Sequence, residues 1–331
     1  MPFSCKAFTA FSLVSQADPV NSKDRDRAGR ESSCMSNIRV GTASWSDKSL
    51  IDSGLYYPSE AKSPEQRLRF YAAHFPIVEL DSSYYGIPTE TSARQWAERT
   101  PEGFKFNVKA FRIFTGHQTP PAAIPPDIRA QLPQSEKKNV YYKDVPVELR
   151  DELWKRFADA LLPLRQAAKL GAIHFQFPPW LVYNRDSLAH VLECRERMPL
   201  DLLATEFRSA SWFNERHREH TLAFQRDHGL THVVVDEPQG FKSSVPLVWA
   251  ATNPELAVVR LHGRNAETWE KKGLQVASDR FNYDYSDEEL AAMVDPVRQL
   301  AHQVTETYVI FNNNYSDQGP RNASTLRRLL D

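Results

Sequence analysis

The sequence predicts an α/β protein built as a single (β/α)8 barrel of the TIM type, with a long loop insertion after the third strand and a disordered N-terminal extension. Three observations carry that prediction. Eight short segments are rich in branched and aromatic residues, as buried parallel strands are. Helical patterns with recognisable ends lie between most of them, and strand–helix alternation repeated eight times is the signature of such a barrel. The 331 residues also leave room for the ~250 that one barrel takes as a single unit. An open doubly wound sheet is the rival, but no Gly-x-Gly-x-x-Gly turn supports it.

Residues 1–36 carry Ser, Asn, Asp, Lys and Arg without periodicity and are expected to be disordered. Their one apolar stretch, Ala7 to Val14, is interrupted by Thr9 and Ser12, which disfavours a secretory signal. Met35 is a plausible alternative start to Met1. The barrel domain is assigned to residues 37–331. Its strands are read at Ile38–Trp45, Val78–Tyr84, Lys105–Phe111, Ala172–Pro178, Leu202–Arg208, His232–Glu237, Leu256–Gly263 and Tyr308–Asn313.

Between the first two strands, Ser63-Pro64-Glu65-Gln66 reads as an N-cap, a first-turn proline and a capping-box partner. Ser286-Asp287-Glu288-Glu289 repeats that logic before the last strand. The helix from about Asn214 ends against Gly229, a suitable C′ residue. Two connections are irregular. Arg112 to Val147 is long and proline-bearing, with Pro120-Pro121 and Pro125-Pro126, which suggests a lid or binding loop before a helix from about Glu148 to Leu170. Pro238 to Asn253 has little helical pattern and is expected to be mostly coil.

Composition narrows the function classes. A formal net charge of -1 gives no sign of nucleic-acid or membrane-surface binding, so any charge preference must be local to a site. No apolar run approaches the ~18 residues of a membrane span. Cys5, Cys34 and Cys194 form no Cys-x-x-Cys pair and suit neither a disulfide framework nor a structural zinc site. A cytoplasmic location is the simple expectation.

Residues two apart on a strand share a face. That rule gathers Thr42 and Ser44, then Glu79, Asp81 and Ser83, Asn107 and Lys109, His174 and Gln176, Glu206 and Arg208, Asp236, and Arg260 and His262. The alternate phase is mostly apolar. The polar phase is therefore expected to point into the barrel, at the carboxyl ends of the strands where active sites of this architecture sit. Buried charges there must neutralise one another or meet a ligand. Asn312-Asn313-Asn314 ends the eighth strand, and parity does not choose among them.

Several of these motifs together resemble the YecE-like family, catalogued as domain of unknown function 72. They are Gly41-Thr42-Ala43-Ser44-Trp45, Val78-Glu79-Leu80-Asp81-Ser82-Ser83-Tyr84-Tyr85, Phe175-Gln176-Phe177-Pro178-Pro179, Glu206-Phe207-Arg208, Ser211-Trp212-Phe213, Arg260-Leu261-His262-Gly263 and Phe311-Asn312-Asn313. The resemblance runs from about Ile38 to the end. It implies a barrel fold and a widespread bacterial family without an assigned reaction. Two departures stand out: Asp81 replaces a usual asparagine, and the segment after strand three is longer than in the shorter members.

Three functions are carried forward. The first is cofactor-free acid–base chemistry on a small anionic substrate, phosphorylated or carboxylated. Lys109, Glu206 and His262 would move protons, with Asp236 and Glu79 assisting, while Arg208 and Arg260 hold the anion. Ser44, Trp45, Asp81, Tyr84, Gln176, Asn312, Asn313 and His117 would line the substrate. Arg264, Asn265 and Ser316 before the last helix give a second, weaker anion signal. The second reading is a metal-dependent hydrolase or isomerase with Glu79, Glu206, Asp236 and His262 as ligands of a divalent ion. The third is a non-catalytic module binding a nucleotide-like ligand or a partner protein, walled by Trp45, Tyr84, Tyr85, Trp180, Trp212 and Tyr315.

Overall fold

A computed structural model describes residues 37–331 apart from Lys272, Gln275 and Val276. The expected N-terminal extension lies outside the described residues. Eight parallel strands close in sequence order: β1 (Ile38–Ala43), β2 (Ile77–Leu80), β3 (Lys105–Lys109), β4 (Leu170–Gln176), β5 (Leu202–Glu206), β6 (Leu230–Asp236), β7 (Leu256–Leu261) and β8 (Glu306–Phe311). Every strand ends earlier than the residue pattern suggests. In β2 the cause is local: a one-turn helix, Ser82–Tyr85, starts directly after Asp81.

Gly41 makes the β1–β2 contact possible. A Cβ there would lie 2.1 Å from the Ile77 carbonyl oxygen, so only glycine lets the two backbones approach this closely.

The helical layer follows the capping signals. Both reciprocal capping boxes form, opening Pro64–His74 and Asp287–Ala301. Helix Arg218–Asp227 stops before Gly229, whose φ is +62°. The expected helix before β4 is two, Val147–Ala160 and Leu162–Gln166, because Pro163 restarts the turn. Between β6 and β7 there is coil, as the composition suggested. Between β3 and helix Val147–Ala160 the insertion is folded: two short helical turns, a helix at Pro126–Arg129, and an antiparallel bridge between Thr119 and Val140.

Partners in parallel register share a face, and the register fixes what enters the barrel. Lys109 pairs with His174, Gln176 with Glu206, Val235 with Arg260 and Arg260 with Ile310. The inward phase of β6 is thus Val233 and Val235, continuing to Glu237, while Asp236 and His232 face the outer layer. On β1, Ala43 pairs with Glu79 and is inward, whereas Thr42 faces out and bonds the Tyr71 hydroxyl at 3.0 Å. The parity expected for Asp236 and Thr42 is therefore off by one residue. Nothing in β6 alternates between polar and apolar until two acids arrive in succession, so the sequence offers no phase there.

Candidate active site at the barrel mouth

Arg260 crosses the barrel axis near the carboxyl ends of the strands. Its guanidinium donates to Glu79 of β2 and to Glu206 of β5, each at 2.6 Å, and all three side chains are completely buried. Asn107 donates to the other Glu79 oxygen at 3.0 Å. Gln176 and Arg208 donate to the other Glu206 oxygen at 2.8 and 3.0 Å. His174 sits between the carboxylates, 3.1 Å from Glu79 and 3.2 Å from Glu206, but too oblique for good hydrogen bonds. His262 Nε2 is 3.3 Å from Glu206, and its Nδ1 is 2.8 Å from Asn312.

This layer fixes charge rather than moving it. Burial opposes ionisation of Glu79 and Glu206, but Arg260 together with the neighbouring imidazoles, and Lys109 at Glu79, outweighs it and holds both carboxyls well below the usual range. Both carboxylates are fully engaged, so neither is poised as a general base. Burial pushes the His262 imidazole down to about 3 against the pull of Glu206.

Above the layer opens a cavity of about 1000 Å³. Lys109 and Arg208 reach its floor from below, with only 14% and 13% of their side chains exposed. Lys109 Nζ is 3.2 Å from Asp81 and 5.3 Å from the Tyr84 ring centre. Burial alone would weaken the Lys109 ammonium, but Asp81 together with Glu79 and Glu206 raises its pKa above the usual lysine value. Arg208 lies 4.8 Å from the Trp269 ring centre and 3.1 Å from Glu237.

His117 enters the cavity from the β3 insertion. One ring nitrogen meets the Thr115 hydroxyl at 2.8 Å, and the ring packs edge-on to Tyr84 and Trp180. Burial, then Lys109, Arg112 and Arg208, push its imidazole down to about 3. It is neutral among cations.

The residues expected from sequence thus divide into three groups. Ser44, Asp81, Tyr84, Lys109, His117, Gln176, Arg208 and Asn312 line the cavity. Ser44 reaches it because its positive φ of 67° turns the chain after β1. Glu79, Glu206, Arg260 and His262 form the layer beneath. Trp45, Asp236 and Asn313 belong to neither. Trp45 packs edge-on to Trp96 in the core. Asp236 accepts from Tyr285 at 2.6 Å and from Arg264, and Asn313 bonds Asn322 and the Tyr283 carbonyl. Arg264 also meets Glu289, so the anion-binding corner suggested by Arg264, Asn265 and Ser316 is not assembled.

The proposed metal ligands do not converge either. Asp236 faces the outer layer and Arg260 occupies the space between Glu79 and Glu206. Among the described residues no three acid, imidazole or thiol groups form a ligand set. Of the rim aromatics, Tyr84, Tyr85 and Trp180 line the cavity, whereas Trp212 is buried, stacked on Phe207 at 3.8 Å.

Two residues were missed. Glu237, on the true inward phase of β6, accepts from the Val245 amide at 2.7 Å and braces Arg208. Burial raises its carboxyl to about 7, although Arg208 opposes the shift. Trp269 lies in the β7–β8 connection, where no periodicity marks a wall residue.

Comparison with known proteins agrees with the fold. The profile described as "Protein of unknown function DUF72" matches residues 39–331. The chain is 33% identical over 296 residues to the UPF0759 protein YunF of Bacillus subtilis (strain 168), covering 89% of this chain and 95% of that one. A DUF72 family structure from Enterococcus faecalis V583 superposes with a TM-score of 0.71 at 28% identity, covering 88% of this chain and 95% of its own. Another from Thermotoga maritima MSB8 gives 0.67 at 31% identity, covering 89% and 99%. A barrel that closes in this order, under a mouth built by the motifs at Glu79, Glu206 and Arg260, and matched along nearly its whole length, belongs to the DUF72 family of proteins of unknown function.

Proposed function

We propose that this barrel is an enzyme acting on a small anionic substrate, phosphorylated or carboxylated, by acid–base chemistry carried by its own side chains. The observation that carries the reading is the pairing of Lys109 and Arg208 on the cavity floor. Both cations are nearly desolvated, and both are braced from below or beside by acids that fix their position. Charges held this way in a sheltered cavity interact strongly with an incoming anion and need no reorganisation to do so.

Within this reading Arg208 binds the anionic group, since its planar donors suit a carboxylate or phosphate. Lys109 remains an ammonium and acts as a proton donor or as an electrophile toward a developing oxyanion. His117 replaces His262 and Glu206 as the proton acceptor. Burial first, and then Lys109, Arg112 and Arg208, keep its imidazole neutral. An entering anion offsets the share contributed by those cations and raises the basicity of the ring against the burial that remains.

Thermal unfolding with ribose 5-phosphate as probe tests the binding half of this proposal. A ligand at about a hundred times its dissociation constant adds ~2.7 kcal/mol of stability, which should raise Tm by several degrees in the wild type. Arg208→Ala and Lys109→Ala should lose most of that rise. Equal rises in wild type and both variants, or none in the wild type, would overturn it.

A further inference from the structure

A second cavity, of about 420 Å³, opens beside the barrel mouth, lined by Gly116, Lys137, Tyr141, Tyr142, Trp180 and His190 among others. It shares Trp180 with the main cavity, and the two are joined by a run of rings. Tyr84 packs on His117 at 5.2 Å, and His117 on Trp180 at 5.7 Å. Lys109 stands over Tyr84 at the inner end of that run.

The walls of the second cavity are fixed. Tyr142 donates to Glu193 at 2.6 Å and accepts from Trp154 at 2.9 Å, tying the insertion to two barrel helices. The Thr119–Val140 bridge pins the insertion immediately before Tyr141. Trp180 nonetheless remains 54% exposed, a large apolar face presented to solvent between the two cavities. His190 Nε2 is buried beside the cavity with no hydrogen-bond partner among the described residues. Lys137 lies 5.9 Å from the Tyr141 ring centre, with its ammonium paired to Asp144 at 2.8 Å.

Flat rings and an unpartnered ring nitrogen together suit a planar, hydrogen-bonding group. Resting on the anion-binding reading above, we infer that the substrate is a nucleotide: its phosphate meets Lys109 and Arg208 in the barrel mouth, and its base stacks on Tyr141 and Trp180 in the second cavity. The insertion after β3 is then the element that holds the base. Base stacking on aromatic rings is tolerant of base identity, so purines and pyrimidines both fit this chemistry.

Titration calorimetry of the full chain with AMP and with ribose 5-phosphate tests the inference. AMP should bind roughly tenfold or more tightly than ribose 5-phosphate, the scale that one good stacking contact supplies. Tyr141→Ala should erase that advantage and leave ribose 5-phosphate affinity unchanged, while Tyr141→Phe keeps it. Lys109→Ala should weaken both probes alike. Equal affinities for the two probes in the wild type, with Lys109→Ala still weakening both, would overturn the nucleotide assignment and spare the anion-binding reading. Equal loss of both probes in Tyr141→Ala with an unchanged Tm would also overturn it. Binding of neither probe would sink both proposals together.

Discussion

Glu237 illustrates how much one carboxyl can matter when its surroundings disfavour charge. It is 1% exposed, and it touches Arg208 on one side and the Val245 amide on the other. Burial dominates, so its carboxyl titrates near 7 in the folded protein rather than near 4.5. Between those values the folded chain keeps a proton that the unfolded chain has released. The folded state then binds more protons, and stability falls as pH rises. The contribution is whole below pH 4.5, declines through the interval and is gone above about 7; at full shift it amounts to about 3 kcal/mol. Glu237→Gln removes the titration. The difference in unfolding free energy between wild type and variant should therefore drift by about that amount between pH 4.5 and 8, measured by urea denaturation. A flat difference would mean that the carboxyl is not perturbed. Deprotonating Glu237 also adds a negative charge beside Arg208, 3.1 Å away.

Strands and loops differed in how clearly the sequence announced them. The eight strands were found because parallel strands covered on both faces read as branched apolar runs. Their ends were overestimated because polar residues continue the alternation into the loops, as Asp81 and Ser83 do after β2. Phase was recovered where a polar residue stood alone among apolar ones, as at Glu79 and Arg260. It failed at β6, where Asp236 and Glu237 are adjacent acids, and at β1, where Thr42 is polar yet satisfied by Tyr71 in the helical layer. The inward residues of β1 are Gly41 and Ala43, whose smallness was the signal. Gly41→Ala should confirm this role. Its added Cβ meets backbone at 2.1 Å, which no side-chain rotation relieves. The β1–β2 seam must open, with a cost of about 1–3 kcal/mol or more as overpacking typically costs, visible as a lowered Tm and faster amide exchange in Thr42–Ala43 and Val78–Glu79. A variant with wild-type Tm and exchange would show that the seam has slack. The loops carried less information: Trp269 and the second cavity arise from tertiary placement of segments without periodicity.

At the scale of the whole molecule, Arg260 does for the barrel what no single strand pair can. It reaches from β7 to Glu79 on β2 and Glu206 on β5, three strands well separated around the closed sheet, and fixes the floor on which Lys109 and Arg208 rest. Because all three groups are fully buried, removing the cation strands two carboxylates in a medium that cannot solvate them. Breaking such a pair typically costs about 3–5 kcal/mol, whereas replacing every member by neutral groups of similar shape is close to neutral. Arg260→Met should accordingly lower the unfolding free energy by that amount, and both acids should then titrate upward. Adding Glu79→Gln and Glu206→Gln to the same chain should recover most of the loss, since the stranded charges are gone. Ligand binding should not recover with it. Glu206 also holds Arg208, at 3.0 Å, so the neutral triple variant keeps a stable barrel under a cation that has lost one of its two braces. Urea denaturation and ribose 5-phosphate titration on the same three proteins separate the two effects. A triple variant as unstable as Arg260→Met would mean that the network supports the fold through its specific hydrogen bonds, not through charge balance.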